Sequence, residues 1–295
     1  MTIVERRRQN IEVFKTTTAM YTTHPRLIES IRSSIERQEV FLADESDFGS
    51  FMPKPNKETA NVIVSEKRSF EAAKPYALAG KKVCVLNFAD WTTPGGWALR
   101  GAAAQEESLC RCSTLYPCLT DKKAMEAFYL PHKVMRKSDP MKILHNDDVI
   151  FTPGVTVFMS DTGCPEPLPE EEWYQVDVVS CAAPRLRLRK ADQKRLNTTS
   201  EILEIDEQVL REVLRSRIEA IFKAPLMHGR KNYNVLILGC FGCGAFRNPP
   251  ELVAEVFAEQ IEKFHHHFET IEFAAAHKEK KTRNYDAFCK WIKQT

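Results

Sequence analysis

The sequence contains no apolar run that approaches the roughly 20 residues needed to cross a bilayer. Its first residues, MTIVERRRQN, reach charged side chains too early for the apolar region of a signal peptide. We therefore expect neither membrane insertion nor secretion, and we expect an intracellular protein, either cytoplasmic or nuclear.

A strong charge of one sign is also absent, because 42 lysines and arginines nearly balance 40 aspartates and glutamates and leave a net charge of +2. Capture of a nucleic-acid backbone needs a larger positive excess, so general nucleic-acid binding is not expected. Any anionic ligand must be held by a local site.

The nine cysteines do not form a regular framework. Their number is odd and they are spread over 295 residues, which favours free thiols in a reducing compartment over disulfides. Cys240 and Cys243 form a C-x-x-C motif, which is compatible with metal or redox chemistry, but no second cysteine pair has zinc-site spacing. We expect neither a metal nor a cofactor.

From residue 61 onward, strand-like apolar runs alternate with helical stretches. The predicted strands are 61–64, 82–88, 175–181, 234–238 and 270–273, and the predicted helices are 70–79, 105–116, 201–222 and 250–265. This alternation predicts an α/β fold, a mostly parallel sheet with helices on both faces. Before it, apolar residues at helical spacing predict two amphipathic helices, and residues 44–57 look like a linker. We divide the chain into an N-terminal helical extension with its linker, residues 1–57, packed on a main domain, residues 58–295.

Two of the predicted strands run into glycine-rich loops. After residues 82–88, Gly95, Gly96 and Gly101 precede a helix, and after residues 234–238, Gly239, Gly242 and Gly244 precede another. Strand, glycine loop and helix is the layout in which α/β sheets bind nucleotides, because backbone N–H groups can then cradle a diphosphate. Two such loops predict one phosphate-rich ligand held from both sides.

Glu106 and Glu107 stand at the start of the helix that follows the first loop. One carboxylate can bind ribose hydroxyls while the other, if burial keeps it protonated, delivers a proton to a glycosidic oxygen. The helix N-terminus favours the ionised form, so the two effects oppose each other. The alternative is that both glutamates only complement the helix dipole.

A basic run, RLRLRKADQKR, occupies residues 185–195. It is compatible with a solvated loop or with contacts to the phosphates of a polymeric ligand. Composition does not separate the two interpretations.

The motifs PGGW, GAAAQEE and the later LGCFGCGAFRNPP together resemble the bacterial-type poly(ADP-ribose) glycohydrolases. These are macrodomain proteins, three-layer α/β/α folds whose signature is a Gly-Gly-Gly loop, a short spacer and Gln-Glu-Glu. The resemblance implies a glycosidase that releases ADP-ribose from poly(ADP-ribose), with Glu107 as general acid and Glu106 holding the ribose. ADP-ribosylated proteins are further candidate partners. The ligand-binding residues that the resemblance implies are Asn87, Gly95, Gly96, Trp97, Gln105, Gly242, Cys243, Gly244, Ala245 and Phe246.

The sequence departs from that signature at Trp97, which stands where the third glycine is expected. A tryptophan is costly if this position needs a positive φ. Either the loop has re-formed or the indole covers the ligand. Two other functions share the same site: a non-catalytic ADP-ribose binding module, and a hydrolase of mono-ADP-ribosyl groups on protein or nucleic acid.

Overall fold

The computed structural model describes residues 2–43, 51–138, 144, 146–276 and 283–292. Within them, the strands are β1 (Glu39–Phe41), β2 (Asn61–Ser65), β3 (Val83–Phe88), β4 (Val149–Val157), β5 (Tyr174–Cys181), β6 (Tyr233–Leu238) and β7 (Phe268–Ala274). They form one sheet in the order β1-β4-β5-β3-β6-β7-β2. The neighbours from β5 to β2 are parallel, and β4 is antiparallel to β5 and β1. The sheet is therefore mixed and mostly parallel, as predicted.

The helices in the described residues are α1 (Ile3–Thr23), α2 (Pro25–Arg37), α3 (Ser69–Leu78), α4 (Gln105–Cys112), α5 (Leu115–Leu119), α6 (Lys122–Ala124), α7 (Leu130–Ser138), α8 (Lys190–Arg195), α9 (Glu207–Gly229), α10 (Pro250–Phe264) and α11 (Arg283–Trp291). None of them is long and apolar enough to cross a membrane.

Both faces of the sheet are covered by helices. In β3, Cys84 and Leu86 belong to the core that contains α9, α10 and α11, whereas Val83 and Val85 belong to the core that contains α1 to α5. Because β3 is buried on both sides, its sequence is a mostly apolar run rather than an alternating one. The three-layer, macrodomain-like α/β/α fold predicted from the sequence is confirmed.

Two predicted helix boundaries were wrong. The helix expected over 201–222 begins only at Glu207, because Asp206 caps it by accepting hydrogen bonds from the N–H groups of Gln208 and Val209. The helix expected over 105–116 is divided into α4 and α5, since Ser113 adopts an extended conformation.

The N-terminal section contributes more than helices. Residues Glu39–Phe41 form the edge strand β1, which pairs with β4. Part of the predicted linker, residues 44–50, lies outside the described residues, and residues 51–57 form neither helix nor strand.

Candidate active site

A cavity of about 870 Å³ lies at the carboxyl ends of β3, β5, β6 and β7, where ligands of open α/β sheets bind. It is lined by both glycine loops and by the first turns of α4. Nine predicted site residues line it: Gly96, Trp97, Gln105, Glu106, Glu107, Gly242, Gly244, Ala245 and Phe246. The fold thus brings most of the predicted residues together around one opening.

The first glycine loop approaches the carboxylates closely. Gly95 and Gly96 have φ values of 67° and 58°, a left-handed conformation that glycine adopts without strain. A Cβ at Gly96 would lie 2.6 Å from Glu107 Oε1, so only glycine leaves room for that carboxylate. Trp97 has a φ of −110°, and the position therefore does not need a third glycine. The half-exposed indole of Trp97 lines the cavity.

Glu107 is held by one oxygen only. Its Oε1 accepts a hydrogen bond of 3.0 Å from the backbone N–H of Trp97. Its Oε2 is buried and has no hydrogen-bond partner among the described residues, although the side chain lines the cavity and is only 7% exposed. A buried polar atom without a partner is costly, so this oxygen is available to a ligand.

Both oxygens of Glu106 are already bound by the protein. Oε2 accepts from the backbone N–H of Asp90 at 2.8 Å, and Oε1 accepts from Asn87 Nδ2 at 3.4 Å. Burial, followed by the negative charge of Asp90, raises the pKa of Glu106 well above its ordinary value. For this carboxyl, burial therefore outweighs the hydrogen bonds from the Asp90 N–H and from Asn87, which lower the pKa.

Two predicted ligand residues support Glu106 and α4 from behind. Asn87 is fully buried and donates to Ser180 Oγ at 3.0 Å as well as to Glu106, and it does not line the cavity. Gln105 Nε2 donates to the Leu86 carbonyl at 2.7 Å, which ties the start of α4 to β3. Their direct contacts with a ligand stay predictions.

The second glycine loop is fastened by Asn248, whose Nδ2 donates to the carbonyl oxygens of Pro184 and Gly242 at 2.7 and 3.1 Å. Gly242 has a φ of 72°, and a Cβ there would lie 2.4 Å from this amide nitrogen. Of the C-x-x-C pair, Cys240 lines the cavity, whereas Cys243 is buried with its Sγ near the Phe241 carbonyl. Both cysteines are free thiols.

Comparison with protein families decides the assignment of this site. Residues 7–160, more than half of the chain, match the family model described as microbial-type PARG, catalytic domain, where PARG is poly(ADP-ribose) glycohydrolase. The chain belongs to this family. The glycosidase class predicted from the sequence is thereby confirmed. The match includes the first glycine loop and the two glutamates, and it ends before the second loop.

Solved structures extend the similarity to PARG over nearly all of the chain. The poly(ADP-ribose) glycohydrolase of Thermomonospora curvata is 28% identical, with a TM-score of 0.77 over 97% of this chain and 100% of that chain. The same enzyme bound to the inhibitor ADP-HPD gives 0.76 and 28%, over 96% and 99% of the two chains. The Deinococcus radiodurans enzyme in complex with ADP-ribose gives 0.71 and 27%, over 89% and 96%. Comparison with the curated proteins gives no match.

Helix α1 of this PARG-family chain supports the first loop, a role that the sequence did not reveal. The buried Asn10 donates to the Gly101 carbonyl at 3.0 Å, and Thr17 Oγ1 donates to the Arg111 carbonyl at 2.6 Å. Arg111 Nη1 in turn donates to the Ala102 carbonyl at 2.6 Å. The two ends of the segment that carries the glutamates are therefore tied to α1. The sequence signals for this role were Asn10 and Thr17, two polar residues on one face of the predicted helix.

The basic run is partly solvated, and it also contributes to the cavity. Arg185 is 6% exposed and pairs with Asp192 at 3.3 Å, and residues Lys190–Arg195 form α8. Arg187 and Arg189 are exposed to solvent and line the cavity. The signal was the alternation of arginine with leucine, which is typical of an extended segment with one buried face.

Proposed function

We propose that the protein hydrolyses ribose–ribose O-glycosidic bonds of poly(ADP-ribose) and releases ADP-ribose. The observation that carries this proposal is the pair Glu106 and Glu107, two buried carboxyl groups at one cavity, one saturated by protein donors and the other with an unpartnered oxygen. Membership in the microbial-type PARG family supports the substrate, as does the ADP-ribose complex of the Deinococcus radiodurans enzyme.

In the proposed reaction, Glu107 is the general acid that protonates the ribose 2′-oxygen of the leaving chain. The bond between that oxygen and the anomeric carbon breaks, a water molecule attacks the oxocarbenium-like carbon, and the Glu107 carboxylate takes up the proton that the water loses. Two carboxyl groups and water suffice for such chemistry. The unpartnered Oε2 of Glu107 supports this role, because a proton donor needs an oxygen that is free to reach the substrate. Trp97 N–H holds the other oxygen and orients the group.

Glu106 positions the ribose hydroxyls in this proposal. Its raised pKa supports a second assignment, in which Glu106 supplies the proton and Glu107 positions the sugar. We favour Glu107 as the acid because Asp90 and Asn87 already occupy both oxygens of Glu106. The diphosphate would lie between the backbone N–H groups of the two glycine loops.

A matched pair of isosteric variants tests the assignment. Glu107→Gln removes the acid and keeps the shape, so we expect release of ADP-ribose from polymer to fall at least about a hundredfold. Affinity for ADP-ribose, measured by calorimetry, should change little. In Glu106→Gln, we expect weaker ADP-ribose binding and a smaller loss of turnover. If Glu106→Gln loses turnover completely and Glu107→Gln stays active, Glu106 is the acid and Glu107 positions the ribose.

Wild-type turnover separates the proposed function from its alternatives. We expect free ADP-ribose to appear when the protein is incubated with purified poly(ADP-ribose). Tight ADP-ribose binding without any release, from polymer or from protein, would instead support a binding module. Release from mono-ADP-ribosylated protein alone would support a hydrolase of single ADP-ribosyl groups.

A further inference from the structure

The segment after β5 presents a row of arginines to the cavity. The backbone N–H groups of Leu186 and Arg187 donate to the Phe246 carbonyl at 3.0 and 3.1 Å, and Arg187 also forms an antiparallel bridge with Ile202. The N–H of Leu188 donates to the Glu201 carbonyl and the N–H of Leu203 donates to the Leu186 carbonyl, both at 2.8 Å, so the segment is extended around Arg187, and the contacts with Phe246 fix it against the second glycine loop. Because side chains of an extended segment alternate, the side chains of residues 185, 187 and 189 share a face, and all three line the cavity.

Positive charge exceeds negative charge along this row. Arg185 and Arg136 both pair with the single carboxylate of Asp192, each at 3.3 Å. Burial, together with the positive charges of Arg189 and Arg136, lowers the pKa of Arg185 to about 10. The buried guanidinium therefore shares one carboxylate with a second arginine and has Arg189 as a further positive neighbour, which favours an anion at this end of the row.

Arg187 contributes a further uncompensated charge. Its guanidinium forms no ion pair or hydrogen bond with the part of the chain that the structure describes, although the side chain lines the cavity. Arg189 pairs with Asp90 only at 3.6 Å. The guanidinium of Arg187 has no ion pair with the described residues and that of Arg189 is loosely paired, so the row fits a multiply charged anion. Arginine binds phosphate through its fork of N–H donors.

The row lies on the catalytic side of the cavity. Asp90, which pairs with Arg189, also donates its backbone N–H to Glu106. On the proposed function the scissile bond lies at Glu106 and Glu107, and the arginines next to Asp90 are within the same cavity for the part of the substrate beyond that bond. In poly(ADP-ribose), that part carries the diphosphate of the next unit.

We propose that Arg187 and Arg189, with Arg185 behind them, form a subsite for the diphosphate of the leaving polymer. This proposal rests on the proposed function and deepens it. The subsite gives the protein a preference for polymer over a single ADP-ribosyl group, because only the polymer supplies a second diphosphate beyond the bond that is cleaved.

Arg187→Ala tests the subsite, because this side chain has no ion pair or hydrogen bond with the described residues whose loss would disturb the fold. Lys194→Ala is the control, since it removes one exposed positive charge from α8 that does not line the cavity. Two substrates are compared: poly(ADP-ribose) and an ADP-ribosyl phenol, in which a phenol replaces the leaving polymer.

For poly(ADP-ribose), we expect Arg187→Ala to lower kcat/KM about tenfold and to make it less sensitive to salt, because one charge-assisted phosphate contact is lost. For the ADP-ribosyl phenol, kcat/KM should be unchanged. Lys194→Ala should leave both values at the wild-type level.

Three results would overturn the subsite. Equal losses of kcat/KM on both substrates would mean that Arg187 contacts the terminal ADP-ribose or stabilises the fold. Unchanged polymer turnover would mean that Arg187 does not contact the leaving polymer. If the wild type binds single-stranded RNA and Arg187→Ala loses this binding while polymer turnover is unaltered, the row of arginines is a nucleic-acid-binding surface.

Polymer affinity separates failure of the subsite from failure of the proposed function. If the wild type releases nothing from polymer, the proposed function fails, and the subsite is then tested by equilibrium binding of poly(ADP-ribose). Arg187→Ala should weaken that binding and Lys194→Ala should not. Equal affinities of wild type and Arg187→Ala would overturn the subsite independently of turnover.

Discussion

The two glycine loops that face each other across the cavity are held in place by different means. The first, residues 89–104, is fastened to helices, by Asn10 of α1 and by Arg111 of α4. The second, residues 239–249, is fastened to the segment after β5: its Asn248 binds the Pro184 carbonyl as well as the Gly242 carbonyl of its own loop, and its Phe246 carbonyl accepts from the N–H groups of Leu186 and Arg187.

This difference matches what the proposed function requires of each loop. In the proposed reaction, the first loop positions two carboxyl groups for proton transfer, and small misplacements at such a site are costly for rate. The second loop offers backbone N–H groups, for which the local turn is sufficient. We infer that the N-terminal extension serves the first loop, and that damage to the two loops has different kinetic signatures.

The largest effect is expected where α1 meets the first loop. A Cβ at Gly101 would lie 2.2 Å from the backbone oxygen of Arg7, which cannot move without shifting α1, and the φ of 71° adds strain. Overpacking together with a left-handed alanine should destabilise Gly101→Ala by about 3 kcal/mol or more. The measurement is the free energy of unfolding in urea.

Gly80→Ala is the matched control for this prediction. Gly80 has a similar φ of 76° but nothing within 4 Å of its added Cβ, so only the backbone cost of about 1 kcal/mol is expected. The difference between the two variants isolates the contact with α1. Equal destabilisation of both would mean that α1 does not press on the loop.

A smaller effect is expected from a pair of asparagines, one for each loop. Asn10→Ala and Asn248→Ala each leave a buried carbonyl without its donor, at a cost of about 1–2 kcal/mol in unfolding free energy. We expect Asn10→Ala to lower kcat on poly(ADP-ribose) while ADP-ribose affinity stays close to wild type. Asn248→Ala should chiefly weaken ADP-ribose affinity.

Turnover assays and calorimetry on both asparagine variants give this comparison directly. If each variant lowers kcat and ADP-ribose affinity in the same proportion, the two loops act as one unit. The different contacts that hold them then have no separate effects on turnover and binding.

The fold was largely predictable because buried parallel strands leave continuous apolar runs in the sequence, as in residues 83–88 and 233–238. Edge strand β1 was missed because three residues pairing with β4 leave no such run. The start of α9 was misplaced because the Asp206 cap is a side-chain contact rather than a periodic pattern.

The site was predictable in its parts that are local in sequence, the glycine loops and the glutamate pair. The supports could not be predicted, because Asn10 and Gly101 are 91 positions apart in the chain and meet only through the packing of α1. The two interpretations of the basic run could not be separated for the same reason. Its leucines are buried by neighbours that are remote in the sequence.

The smallest effect is expected at Trp97, where the first loop departs from the glycine signature. Its φ is negative, so a glycine would relieve no backbone strain, and its contact with Glu107 is a backbone N–H that Trp97→Gly retains. The indole is 46% exposed, and among the residues that the structure describes it stacks only with the Arg100 guanidinium, 4.6 Å from the ring centre.

Turnover of Trp97→Gly on poly(ADP-ribose) should therefore stay within about twofold of wild type, as for other exposed substitutions. Trp97→Ala controls for the added backbone freedom of glycine. A large gain would show that the tryptophan impairs the enzyme. A large loss in both variants would make the indole a working part of the ligand site, and the first loop would then contribute a side chain as well as its backbone.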